Sequence, residues 1–142
     1  MAVAFLDSNV LIGAANSRDQ HHEAALEILR TVDSGELPSV RLTNYVVSEA
    51  VGYIHTRQSH ATAIELYDRL KTGSAFEFVL SPKSTFFSAE ERFRTHEQLS
   101  FVDATLVADM ARDGVEYIYS FDDDFDGIDG ISRLAVPENP FA

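Results

Sequence analysis

The sequence contains no cysteine, which removes disulfides, thiolate metal sites and cysteine nucleophiles together. It also lacks a long hydrophobic run. The longest, residues 1–6, falls far short of the roughly 20 residues a membrane span needs. No basic segment precedes a longer apolar stretch, so a signal peptide is not expected and a cytoplasmic protein is. Positive charge is scarce. Eleven basic residues stand against 23 acidic ones, only Lys71 and Lys83 are lysines, and the net charge is −12. That balance argues against holding nucleic acid through a broad basic surface. It fits adaptation to a salt-rich interior, where an acidic surface stays hydrated, and equally a mildly acidic protein with an acidic active site. No repeat, low-complexity stretch or linker interrupts the 142 residues, so one domain over 1–142 is expected.

What is present is a globular composition, 45% apolar and 24% charged. Three helical segments end at a glycine: 24–32 before Gly35, 61–70 before Gly73 and 104–111 before Gly114. Glycine past a helix end is expected to supply the left-handed residue of a C-cap. Arg69, Lys71 and Arg112 sit where the helix dipole favours cations. Strand formers follow each helix, at 40–43, 76–80 and 116–121. With 2–6 and 132–136, about five short strands alternate with helices. The fold class is therefore α/β, a parallel sheet covered by helices on both faces. In such sheets the functional crevice lies beyond the carboxyl ends of the strands, so acids that close a strand are the ones to examine.

Asp7 follows the apolar run Val3-Ala4-Phe5-Leu6 and could simply cap the next helix. Asp122 follows Tyr117-Ile118-Tyr119-Ser120-Phe121 and opens the cluster Asp122-Asp123-Asp124-Phe125-Asp126. A turn explains one of those acids, but four within five residues repel one another unless they are solvated or near a cation. Asp103 begins a helix, and Ser100 and Asp103 have the spacing of a capping box. Glu49 falls within a predicted helix, 44–56, beside Val46 and Tyr53 on the flank of its apolar face.

In that order these segments resemble the PIN-domain family. The resemblance is carried by Phe5-Leu6-Asp7-Ser8-Asn9-Val10-Leu11-Ile12, Val46-Val47-Ser48-Glu49, Leu99-Ser100-Phe101-Val102-Asp103-Ala104 and Ser120-Phe121-Asp122-Asp123-Asp124-Phe125. It covers nearly the whole chain, and the length is similar to that of the VapC-type toxin branch. It implies a PIN-like three-layer sandwich and a divalent-metal site built from Asp7, Glu49, Asp103 and Asp122. Ser8, Asn9 and Ser120 would orient those acids, and Asp124 and Asp126 could hold a second ion. The implied activity is endoribonuclease cleavage of single-stranded or structured RNA, with a cognate antitoxin and a second copy of the chain as partners. An RNA-maturation nuclease and a catalytically idle binding module are the alternatives within the family.

Like charges 4 Å apart cost about 1 kcal/mol per pair in water and about 4 kcal/mol at an effective dielectric of 20. Four gathered carboxylates must therefore protonate in part or bind a cation. All-oxygen ligation selects hard ions, Mg²⁺ with Mn²⁺ as a substitute, and not zinc. Such ions activate water directly, so no nucleophilic side chain is needed. Arg57, Arg92 and Arg94 are the bases to consider against a polyanion, although solvated helix faces explain them too. The histidines, with His21-His22 adjacent and His55 and His60 across a predicted helix break, make no metal pattern and read as surface or packing residues. Phe76, Phe78, Phe86, Phe87 and Phe93 read as core or dimer packing. A haloacid-dehalogenase-type site needs an acid where Asn9 stands, and a receiver-type site needs a lysine that neither Lys71 nor Lys83 supplies.

Overall fold

In the computed structural model, which describes residues 2–142, the run Val3-Ala4-Phe5-Leu6 forms strand β1 (Val3–Leu6), buried over its last three residues. Met1, which opens the apolar run, lies outside the described residues. Four more strands join β1: β2 (Ser39–Thr43), β3 (Phe76–Val79), β4 (Tyr117–Tyr119) and β5 (Ser132–Leu134). All pairings are parallel and the order is β3-β2-β1-β4-β5. Strand β1 reads as the apolar run expected of a parallel strand covered on both faces, whereas β2, β3 and β5 carry Arg41, Glu77 and Arg133. The chain winds outward from β1 to β3, then returns to lay β4 on the other side of β1. The carboxyl ends of β1 and β4 therefore flank the point where the winding reverses, the place where such sheets open a crevice.

Among the described residues six helices flank the sheet: α1 (Ser8–Ala15), α2 (His22–Asp33), α3 (Asn44–Arg57), α4 (His60–Thr72), α5 (Lys83–Thr95) and α6 (Phe101–Asp113). Helices α1 to α4 pack on one another, while α5 and α6 pair separately. Helix α6 is buried at every position from Asp103 to Met110. Leu106, Val107 and Met110 join the main core, whereas Ala104 and Ala108 meet Ala89 of α5 in a thin seam of small residues. A helix enclosed on all sides has no single apolar stripe. Among the described residues no helix is long and apolar enough to cross a membrane.

Two expectations need correction, and a third divides. Gly35 and Gly114 adopt φ of 85° and 67°, the left-handed caps expected, but Gly73 does not, with φ −74°. A side chain at Gly73 would stand 2.6 Å from Phe76 Cδ2, so glycine there admits a ring, not a turn. Strand β4 ends at Tyr119, so Asp122 lies three residues beyond it and caps a single 3₁₀ turn, Asp123–Phe125. The aromatic residues divide: Phe76 packs against the core, but Phe78, Phe86, Phe87 and Phe93 are exposed.

Candidate active site

Three of the expected acids converge at the winding reversal. One carboxylate oxygen from each of Asp7, Asp103 and Asp122 lies within 4.8 Å of the others. Each arrives by a different local route. Asp7 leaves β1 in extended conformation, with its backbone N–H held by the Tyr119 carbonyl of β4 at 3.0 Å. It caps α1 through Oδ1, which accepts from the Ser8 N–H at 2.8 Å. Asp103 completes a capping box on α6, its N–H bonded to Ser100 Oγ at 3.1 Å and its Oδ2 accepting from the Ser100 N–H at 3.3 Å. Asp122 Oδ1 accepts from the Asp124 N–H at 2.9 Å. The capping and site readings of Asp7 and Asp103 are thus compatible, because each caps its helix through one oxygen while one oxygen of each also lies within 4.8 Å of the other acids of the cluster.

Ser120 ties the group together. Its fully buried hydroxyl donates to Asp7 Oδ2 at 2.7 Å and accepts from the Asp122 N–H at 3.0 Å and from Asn9 Nδ2 at 3.3 Å. Asn9 Oδ1 accepts from the Phe121 N–H at 3.2 Å, so one side chain clamps α1 to the segment after β4. Glu49 sits higher, exposed at the rim, where Ser8 Oγ donates to its Oε1.

The electrostatics follow from burial. Asp7, 3% exposed, is pushed up to about 7, first by burial and then by the charge of Asp103, with the Ser120 hydrogen bond opposing. Asp103 is pushed up to about 6, again chiefly by burial, with Asp122 and Glu49 adding repulsion. Near pH 7 Asp7 therefore remains partly protonated, and a cation would displace that proton. Three converging carboxylates with no nitrogen or sulfur donor fit a hard divalent ion.

The acids after β4 do not act alike. Asp122, Asp123 and Asp124 offer a second set of converging oxygens, and the charge of Asp122 raises Asp124. Asp123 was not singled out in the sequence, where nothing but adjacency marks it. Asp126 is engaged elsewhere: Arg133 Nε and Nη2 donate to its two oxygens at 2.9 Å each, holding its carboxyl below the usual range. The structure thus gives Asp126 an ion-pair partner in place of a place in the cluster. The three arginines considered for substrate also differ. Arg57 lies over the Tyr53 ring at 5.3 Å, Arg94 pairs with Glu90 at 3.7 Å, and Arg92 has a buried Nε.

Residues 4–131 match the family model described as the PIN domain. The chain belongs to the PIN-domain family. Among curated relatives, this PIN domain is 29% identical over 124 residues to the 23S rRNA-specific endonuclease VapC20 of Mycobacterium tuberculosis, covering 85% of this chain and 90% of that protein. Solved structures share the fold. The crystal structure of M. tuberculosis VapC20, a toxin cleaving the sarcin–ricin loop, aligns with TM-score 0.73 and 23% identity over 86% of this chain and 91% of that one. VapBC2 of Rickettsia felis, bound to a promoter DNA fragment, aligns with TM-score 0.70 and 12% identity, covering 93% and 97% of the two chains. A toxin–antitoxin complex from Klebsiella pneumoniae gives 0.64 and 19%, covering 96% and 98%.

Proposed function

We propose that this PIN domain is a divalent-metal-dependent endoribonuclease, the toxin of a toxin–antitoxin pair acting in the cytoplasm. The observation that carries the reading is the convergence of the Asp7, Asp103 and Asp122 carboxylates at the reversal of the sheet. In this reading those three residues hold the ion, Mg²⁺ or Mn²⁺, with Glu49 at the rim and Asp124 available to a second one. When bound, such an ion supplies Lewis-acid activation of water and charge relief at the scissile phosphate. The protein supplies geometry. Ser120 and the Ser8 N–H fix both oxygens of Asp7, and Ser100 fixes Asp103, so little reorganisation remains when the substrate arrives. Glu49, whose Oε1 accepts from Ser8, is in this reading the group that takes a proton from the attacking water. Asp126 takes no part in ion binding; with Arg133 it braces the loop from outside.

The mycobacterial relative is named for 23S ribosomal RNA, which supports structured ribosomal RNA as the substrate class. The VapBC and toxin–antitoxin neighbours support a protein antitoxin as partner. The test is cleavage of total cellular RNA by purified protein in Mn²⁺ or EDTA, with Asp7→Asn beside wild type. Discrete cuts that need the ion and vanish in the variant are expected. Intact RNA at every salt and metal concentration, with the protein demonstrably folded, would leave an idle binding module.

A further inference from the structure

The segment that closes the site carries a feature the cleavage chemistry does not use. Phe121, between Ser120 and Asp122, packs against the core, and the imidazole of His21 lies flat on its ring, centroids 4.3 Å apart and planes 12° from parallel. His21 belongs to the loop joining α1 and α2, and that loop is tightly specified. Asn16 Oδ1 accepts from the Arg18 N–H at 3.1 Å, and Asp19 Oδ1 accepts from the His21 N–H at 2.8 Å. His22 Nδ1 bonds the Gly13 carbonyl at 2.8 Å. Gly13 permits the approach: a Cβ there would stand 3.1 Å from Ala25 Cβ, 3.5 Å from Asp19 Oδ1 and 3.7 Å from the His21 carbonyl. The imidazole is thus held half-buried in a two-ring stack whose other ring, Phe121, immediately precedes the site carboxylate Asp122.

A protein of net charge −12 draws little affinity for RNA from phosphate contacts. Base stacking carries no such penalty. It is tolerant of salt, available to every base, and is the usual way proteins grip unpaired nucleotides. We infer that the His21–Phe121 stack is a base platform: the outer face of His21 receives an unpaired nucleobase of the RNA, next to the phosphate that is cut. Phe121 is the rigid backing, and Asn9, which holds both Ser120 and the Phe121 N–H, fixes the platform relative to the acids. The inference rests on the ribonuclease reading, and it makes His21 a positioning residue, not a catalytic one.

The experiment uses the segment that wild-type protein cuts in total RNA, resynthesised as a short oligonucleotide with an abasic riboside at each position in turn. His21→Ala should raise KM roughly 5- to 150-fold, the worth of one stacked base, with a much smaller change in kcat. His21→Phe should restore KM, and the loss should persist in molar salt. One abasic position should reproduce the KM of His21→Ala in wild type and cost nothing further in that variant, because both remove the same contact. If wild type cuts RNA but His21→Ala leaves KM unchanged, or every abasic penalty multiplies with that of the variant, the stack is packing only. If wild type cuts no RNA, the nuclease reading and the platform fall together. Should His21→Ala unfold, His21→Leu, which keeps bulk against Phe121 without an aromatic face, replaces it: a raised KM that the matching abasic position does not raise further supports the platform, and a wild-type KM overturns it.

Discussion

At the scale of single residues, Asp7 is where stability and activity conflict. In the folded chain it keeps its proton to about pH 7, against an ordinary value of 3.8. Below pH 3.8 both folded and unfolded chains are protonated there, and Asp7 contributes nothing. Between 3.8 and 7 the unfolded chain ionises while the folded one does not, so stability falls as pH rises, by an amount fully lost above pH 7. In EDTA the melting temperature should accordingly be higher at pH 5 than at pH 8. Asp7→Asn should remove most of that slope and raise the pH 8 melting temperature while abolishing cleavage. Mg²⁺ should stabilise wild type more at pH 8 than at pH 5; equal gains would show that the ion does not compete with these protons. Ser120→Ala withdraws the hydrogen bond that lowers Asp7, so Mn²⁺ affinity measured by titration calorimetry should drop about 10- to 100-fold. These residues were only partly legible in the sequence. Asp7, Asp103 and Asp122 stood out because each lay next to the end or start of an element, whereas Glu49 lay mid-helix and, like Ser120, was marked only by the family resemblance; the three hydrogen bonds of Ser120 are a property of the assembled crevice.

At the scale of elements, the strands were legible from strand-forming residues alternating with helical segments, even where Arg41, Glu77 and Arg133 interrupt them. Helix α5 buries only Thr85 and Ala89 and gave no helical stripe to read. Its phenylalanines Phe86, Phe87 and Phe93 are exposed, which leaves dimer packing as the surviving half of their expected role. Gly73 was placed correctly after a helix but for the wrong reason, because a sequence distinguishes a left-handed cap from a close ring contact only when the packing is known. The distinction is testable. Gly73→Ala adds a methyl group against Phe76 rather than strain to a turn, and should destabilise by about 1–3 kcal/mol in urea unfolding. In the double variant with Phe76→Leu most of that cost should disappear; a cost that persists would return the residue to a backbone role.

For the whole molecule, the excess of acids sets the response to salt. Self-repulsion at net charge −12 is screened to about 3 Å in molar salt, so thermal stability should increase from dilute buffer to 1 M KCl. Cleavage should decline far less with salt than it does for nucleases with basic surfaces, and a steep log–log slope would point to phosphate contacts that the surface does not advertise. The strand order has a different kind of consequence. β1 is made first, yet it waits for β4 on one edge, and β4 is itself fastened by the Tyr119 hydroxyl, which donates to the Glu138 carbonyl at 2.8 Å. A nascent chain halted near residue 115 already contains Asp7, Glu49 and Asp103 but lacks Ser120, Asp122 and the strand that brings them alongside. Ribosome-bound chains of increasing length should therefore cut no RNA until residues 117–138 have cleared the exit tunnel. The topology thus delays assembly of the acid cluster until β4 has joined β1.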